Sequence, residues 1–404
     1  MLKASVIIPA YNSRERLYLN LLALNNQEYE QKDVEVIVVD NGSTDDTFEM
    51  LSDFNLKYPF TKVRVDINQG IAFARNEGIK RAKGDILIFH DSDMIASKDF
   101  ITKHISSHVE KSLVVCGVPW KRMYSFYYDK FSDSQVEKFN EIANLAGNKW
   151  DVNKLSDGCQ LVDENIVTSF KLDKYIFDLD SIFIKKLKEI LKRYGSGLKN
   201  YYFPWRFFIT NNASVERRKV LEVGMFDSKI KKYGYEDYDL GIRLYKAGCK
   251  FKFAEDILNI HQEHPPNHTD IDINENINYM CKKYNNISSI DVIMMCISHT
   301  LSVDGYTLNK IAGEINKIIS LKNYDFVLKL FLKFLQFNRK GKINGKKRTR
   351  IHSYMQKNVK TLRKQVFELK HIHEINDFII QLHKLSKQLL NIDIKKMLKE
   401  YSES

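Results

Sequence analysis

Short apolar runs and amphipathic stretches alternate through the first part of the chain. Residues 5–9, 34–39 and 85–90 read as strands with little polar interruption, and residues 62–65 as a weaker one. Between them, residues 13–27 have helical spacing behind the capping residue Ser13. The loop 41–45 (Asn-Gly-Ser-Thr-Asp) caps a second helix, and residues 71–82 form a third that stops at Gly84. Near-continuous apolar strands alternating with helices predict an α/β fold with a mostly parallel sheet and helices on both faces. Ligands of such sheets bind at the carboxyl ends of the strands. Pro9, Ala10, Tyr11, Asn12, Asp40 and the triplet Asp91-Ser92-Asp93 all fall there.

The remainder divides by pattern. Residues 121–200 read as an insertion rich in Tyr and Phe, with no chemistry assignable. It holds a helix from a capping box at Ser134 and Glu137 to near Gly147, and a second helix over 181–194 stopped by Gly195. Residues 203–266 form a second organised block with a strand at 250–253 and a polar loop beyond it. From about residue 285 the chain reads as helical. In residues 323–337 only Lys329, Lys333 and Gln336 make a polar stripe, which fits a core helix first and a helix lying on an anionic membrane second. Ile375, Phe378, Leu382, Leu385, Leu389 and Ile392 recur by threes and fours over fewer than three heptads, as in a helical hairpin or a dimer contact. The expected domains are 1–266, comprising 1–120, the insertion 121–200 and 203–266, and then a basic helical region, 267–404.

Composition narrows the class. The chain has 404 residues, 44% of them hydrophobic, enough for a catalytic domain with additions. Its five dispersed cysteines form no CxxC pair, which fits reduced thiols better than disulfides or a zinc site. No apolar run reaches membrane-span length, and Met1 leads directly into a strand, so no signal peptide is expected. These features place the chain in the cytoplasm, where the sequons at Asn212 and Asn267 go unused. The net charge of +12 resides in residues 301–404, which carry 22 Lys and Arg against 9 Asp and Glu. This tail is the candidate contact to the inner face of a membrane or to an anionic acceptor.

The candidate chemistry is acidic. Asp91 and Asp93, one residue apart after a buried strand, suit a hard cation such as Mn²⁺ or Mg²⁺ that bridges to phosphates. Asp40 can accept hydrogen bonds from a base or ribose. Arg75 can face a nucleotide or phosphate, although a surface ion pair is the simpler reading. Glu236 and Asp237 open a helix, where one carboxylate can act as general base. Three acids among residues 236–239 raise at least one pKa. His261 and His264 can complete a metal shell begun by the aspartates. Neither GxGxxG nor GxxxxGK[ST] is present.

Six pieces in order resemble family 2 glycosyltransferases of GT-A fold. They are residues 5–12, 38–45, 70–76, 91–93, 223–227, and 236–240 with Arg243 and Leu244. The resemblance implies a UDP-sugar donor whose nucleoside is held by Asp40 and residues 9–12. It implies that Asp91 faces the ribose or metal and that Asp93 binds the metal, with His261 as the third ligand and His264 the other candidate. Asp237 would deprotonate the acceptor hydroxyl, which is on a glycan, lipid-linked, polymer or peptide acceptor. The Gln-x-x-Arg-Trp signature of processive synthases is absent, which favours transfer of a single sugar. The alternatives are an inactive binding protein of the same fold, engaging an anionic polymer through its tail, and a nucleotidyltransferase. The latter gives no use for Glu236 and Asp237. No nucleic-acid motif accompanies the basic residues, so nucleic acid is not expected.

Overall fold

A computed structural model describes residues 2–148, 154–266, 270–339 and 345–392, without the side chains of residues 270 and 345–348. The chain divides into two compact units: residues 1–199 with 204–276, and residues 200–203 with 277–404.

Four parallel strands build one half of the first unit: β1 (Ala4–Ala10), β2 (Val34–Asn41), β3 (Phe60–Val65) and β4 (Ile86–Phe89). Strand β5 (Met94–Ala96) follows the acidic turn, and β6 (Leu113–Val118), β7 (Lys121–Met123), β8 (Ile176–Asp178), β9 (Ala213–Glu216) and β10 (Lys250–Gln262) complete the sheet. Its order is β3-β2-β1-β4-β9-β6-β10-β7-β8, with β5 paired to β10. The mostly parallel expectation holds, with β9 running antiparallel between β4 and β6. Every residue of β1 and β2 is buried, which is why these strands lack polar alternation. In register, Ala10 faces Asp40, and His90 N donates to Ile7 O at 3.1 Å. The carboxyl ends of β1, β2 and β4 therefore lie side by side.

The first unit's helices are α1 (Arg14–Asn25), α2 (Thr47–Asp53), α3 (Ile71–Arg81), α4 (Phe100–Ser107), α5 (Asp133–Leu145), α6 (Glu164–Thr168), α7 (Ile182–Tyr194), α8 (Arg217–Glu222) and α9 (Glu236–Lys246). Leu17, Leu21 and Leu24 of α1, Leu51 of α2 and Phe100 and Ile101 of α4 share one core with Val6, Ile8, Val36 and Val38 on one face of β1 and β2. The cap of α5 is Ser132 with Gln135 as box partner, not Ser134 with Glu137. Both pairs satisfy the same sequence rule, and the backbone turns at the earlier one. Met123, Tyr124, Phe139 and Val162 of the 121–200 segment pack with Leu19, Ala23, Ile95 and Ile260. Tyr124, Phe126, Phe131, Phe139 and Tyr175 of that segment are thus core. Asn212 is also core, at 1% exposure, and donates to Val118 O and Ile257 O. Its sequon is inaccessible in the fold, and the one at Asn267 lies outside the described residues.

Helix α10 (Asp270–Lys283) leads on to α11 (Ile290–Cys296), α12 (Gly305–Ser320), α13 (Asp325–Asn338), α14 (Gly345–Lys357), α15 (Val359–His371) and α16 (Asp377–Leu390). In the second unit, Val327, Leu328, Leu330, Phe331, Phe334 and Leu335 of α13 are buried, so this is a core helix and not a membrane-surface one. Helix α16 turns Phe378, Leu382 and Leu385 inward and packs on α12 and α13. The apolar seam expected as a hairpin or dimer contact is used within the unit. Glu314 caps α16 by accepting from the backbone N–H groups of Asn376, Asp377 and Phe378. Among the described residues, no helix is long and apolar enough to cross a membrane. Lys340, Lys342 and the side chains of Lys346, Lys347 and Arg348 in the basic cluster lie outside the described residues.

Candidate active site

The turn 91–93 reverses the chain out of β4 and into β5, closed by Met94 N donating to Asp91 O. Strand β5 runs antiparallel to β10, and Met94 pairs with His261. Gln262 N donates to Asp93 O at 2.8 Å. Backbone pairing therefore brings a histidine from residue 261 beside an aspartate from residue 93. His261 Nε2 lies 3.4 Å and His264 Nε2 lies 3.0 Å from Asp93 Oδ2. Both candidate histidines reach the same carboxylate. Of the polar loop expected over 261–265, His261 and Gln262 are in fact strand, because β10 runs on past Glu255 and Asp256 with a register irregularity between Phe253 and Leu258.

Asp93, His261 and His264 each offer a ligand atom within 4.8 Å of the others, a metal-sized cluster among the described residues. Three features fit a cation. His261 Nδ1 faces Glu263 Oε1 at 3.1 Å and His264 Nδ1 faces Pro265 O at 2.8 Å, so each ring's remaining nitrogen points at Asp93. Asp93 Oδ1 is buried without a hydrogen-bond partner. The protein alone compensates the carboxylate with protons. Burial opposes a charged His261 ring, yet Asp93 and Glu263 outweigh it and push the ring up to about 9. Burial likewise raises Asp93, but His261 and His264 prevail and hold it well below the carboxylate range.

Arg75 is no surface residue. It is 2% exposed on α3, and its guanidinium reaches Asp91 Oδ1 at 2.8 Å and Glu236 Oε1 at 2.9 Å. The surface-ion-pair reading is overturned. The guanidinium is spread between two carboxylates far apart in sequence, Asp91 and Glu236, a geometry that Arg's fork permits. Burial raises Asp91 above the usual range, and Arg75 only partly offsets it.

Glu236 and Asp237 begin α9 directly after Tyr235, a left-handed residue at φ 73°. Gly241 lets this helix lie close against Trp205 and Phe208, since a Cβ there would sit 3.1 Å from Trp205 Cβ. Asp237 accepts from Tyr238 N at 2.7 Å. Burial, with Glu236 alongside, raises its carboxyl well above the usual value. The third acid, Asp239, is fully buried and held by Arg243 through Nε at 2.9 Å and Nη2 at 2.7 Å, which assigns it to structure.

The β1 and β2 ends are laced together. Asn12, at φ 47°, accepts from Thr44 N at 2.8 Å through Oδ1, and its own N–H donates to Ser43 Oγ at 2.9 Å. Asp40 accepts from Ser43 N through Oδ1, while Oδ2 is buried without a hydrogen bond and lies 3.7 Å from Arg64. Pro9 and Ala10 are buried strand residues, and Tyr11 is exposed. Asn76 exchanges bonds with the backbone of Phe226 through both atoms of its amide, joining the 70–76 and 223–227 segments.

Two neighbours of the cluster escaped the sequence reading. Glu263 accepts from Arg122 Nε at 2.9 Å, with Arg122 on β7. The signal for Glu263 was its spacing of two from His261, which puts both on one side of a strand.

A family model described as glycosyl transferase family 2 matches residues 5–168. The glycosyltransferase YfnE of Bacillus subtilis, described as uncharacterized, is 46% identical over 402 residues, 98% of this chain and 99% of that protein. Chondroitin synthase of Escherichia coli is 27% identical over 283 residues, 68% of this chain but 37% of the synthase. The crystal structure of S. aureus TarS residues 1–349 in complex with UDP-GlcNAc covers 84% of this chain and 88% of that one, at 15% identity and a TM-score of 0.49. The sheet and its helical layers are those expected of a GT-A fold. The 46% identity to YfnE over almost the whole length establishes what the six ordered pieces suggested: the chain is a glycosyltransferase and belongs to glycosyl transferase family 2.

Proposed function

We propose that this enzyme moves a single sugar from a UDP-sugar to an acceptor hydroxyl, with inversion at the anomeric carbon and with a bound divalent cation. The observation that carries the reading is the convergence of Asp93, His261 and His264 at the strand ends, beside an Arg75 that ties Asp91 to the helix bearing Asp237. Asp93, His261 and His264 hold the cation. Two imidazole nitrogens favour Mn²⁺ over Mg²⁺, which prefers an all-oxygen shell. Bound there, it supplies Lewis-acid stabilisation of the departing diphosphate.

The protein's own groups do the rest. Asp40 and residues 9–12 hold the nucleoside, and Asp91 and Ser92 line the ribose and phosphate side next to Arg75. Asp237 accepts the proton of the acceptor hydroxyl as that oxygen bonds to the anomeric carbon. The carbon–oxygen bond to the diphosphate breaks, and its electron pair leaves with UDP. The raised pKa of Asp237 suits a base, because proton affinity is what the step needs. Glu236, locked to Arg75, orients this turn. The positive charge of residues 301–404 supports an anionic acceptor polymer or an anionic lipid surface as neighbour.

Stereochemistry tests the reading. Slow donor hydrolysis followed by proton NMR, before mutarotation, should show a free sugar of configuration opposite to the donor. A product of the donor's own configuration contradicts the base assigned to Asp237.

A further inference from the structure

We infer that Glu263 and Arg122 are positioning residues for the cation site, in which Arg122 fixes Glu263 and Glu263 fixes the ring of His261. The inference rests on the metal reading above and gives a role to β7, part of the segment for which the sequence offered no chemistry.

The geometry is a chain of close contacts. Arg122 Nε lies 2.9 Å from Glu263 Oε1, the same oxygen lies 3.1 Å from His261 Nδ1, and His261 Nε2 lies 3.4 Å from Asp93 Oδ2. Backbone pairing holds the chain in place. Strand β10 pairs with β7 so that His261 faces Arg122 and Gln262 faces Met123, and Glu263 N donates to Met123 O at 2.7 Å. Arg122 is itself anchored, because its Nη1 donates to Pro119 O at 3.0 Å and Lys121 O at 3.2 Å. The Arg122 and Glu263 side chains are 14% and 17% exposed, so water competes weakly for these bonds.

The consequence concerns the tautomer. An imidazole can offer a lone pair at Nε2 only if its proton sits on Nδ1. A carboxylate at Nδ1 fixes the proton there, stops the ring from flipping and raises the basicity of Nε2. Arg122 prevents Glu263 from turning away to solvent. A purely structural strut between β10 and β7 would need the Arg122–Glu263 pair but not the shared oxygen on His261.

The test is Mn²⁺ affinity of the full chain, read by electron paramagnetic resonance of free Mn²⁺, for wild type, Glu263→Gln, Glu263→Ala and Arg122→Met, each checked for folding by circular dichroism. Glu263→Ala should weaken binding about 10–100-fold. Glu263→Gln should stay near wild type, because its amide oxygen still accepts from Nδ1–H, and that rescue separates positioning from charge. Arg122→Met should fall between them, and it carries the same comparison if Glu263→Ala does not fold. Wild-type affinity in folded Glu263→Ala or, failing that variant, in Arg122→Met overturns the inference and leaves the metal site standing. Absence of Mn²⁺ binding by wild type overturns the metal reading, and this inference with it.

Discussion

Arg75 Nη1 lies 2.9 Å from Glu236 Oε1, a pairing across 161 residues that fixes the first turn of α9 to α3. The same guanidinium holds Asp91, so one buried cation sets the spacing between the strand-end acids and the helix that carries the proposed base. Replacing Arg75 by Met leaves the buried Glu236 and the half-buried Asp91 without their partner. Breaking a buried ion network in this way costs about 3–5 kcal/mol. Urea denaturation of Arg75→Met should show that loss, and Arg75→Lys should recover only part of it, since one ammonium cannot serve two forks.

Asp237→Asn should lower transfer about 10²–10⁴-fold, the usual contribution of a general base, while donor and Mn²⁺ binding stay close to wild type. Its folding behaviour separates chemistry from damage. A carboxyl whose folded pKa is raised binds its proton more tightly when folded, so its ionised form weakens the fold at neutral pH. That penalty shrinks as pH falls through the folded pKa and is gone only below the ordinary carboxyl value of 3.8. The Asn variant should therefore melt at the wild-type temperature or higher at pH 7, with the difference vanishing in acid. A variant that loses activity and melts much lower at pH 7 contradicts this account.

The same shift sets the pH profile. Transfer needs ionised Asp237, whose pKa burial and Glu236 raise above the ordinary 3.8. The acid limb of kcat/KM should accordingly lie above that value, and the residual rate of Asp237→Asn should lack it. An acid limb shared unchanged by both proteins would assign it to another group.

Gly70 precedes α3 at φ 92°, and a Cβ there would stand 2.5 Å from Lys231 O. The 231–235 segment it touches leads into Glu236, and Asn276 clamps it by donating to the carbonyls of Lys232, Tyr233 and Gly234. Gly70→Ala is strained twice, by its φ and by the backbone it meets. It should lower kcat at least tenfold and melt below wild type. Wild-type kcat in this variant would show that the segment has room to give.

The parallel half of the sheet was legible because full burial removes polar alternation, so residues 5–9 and 34–39 announce themselves. Strand β10 was not, since the acidic pair Glu255 and Asp256 sits in a register irregularity between Phe253 and Leu258 that breaks the hydrophobic pattern. That one misreading put His261 in a loop and hid its alignment with Met94. Arg75 was misjudged for a related reason: a lone charge in a helix says nothing about partners 16 and 161 residues away. Arg122 and Glu263 depend on β7 meeting β10, which is tertiary information. The acids at the strand ends were found because their placement follows from local pattern alone.

The most direct measurement is a screen of nucleotide sugars for binding and slow hydrolysis, with Mn²⁺, with chelator, and with Asp93→Ala. The account predicts that one UDP-sugar binds and releases UDP in the presence of Mn²⁺, and that chelator or Asp93→Ala abolishes both. Donor turnover by the folded protein that is indifferent to chelator and to Asp93→Ala would contradict it.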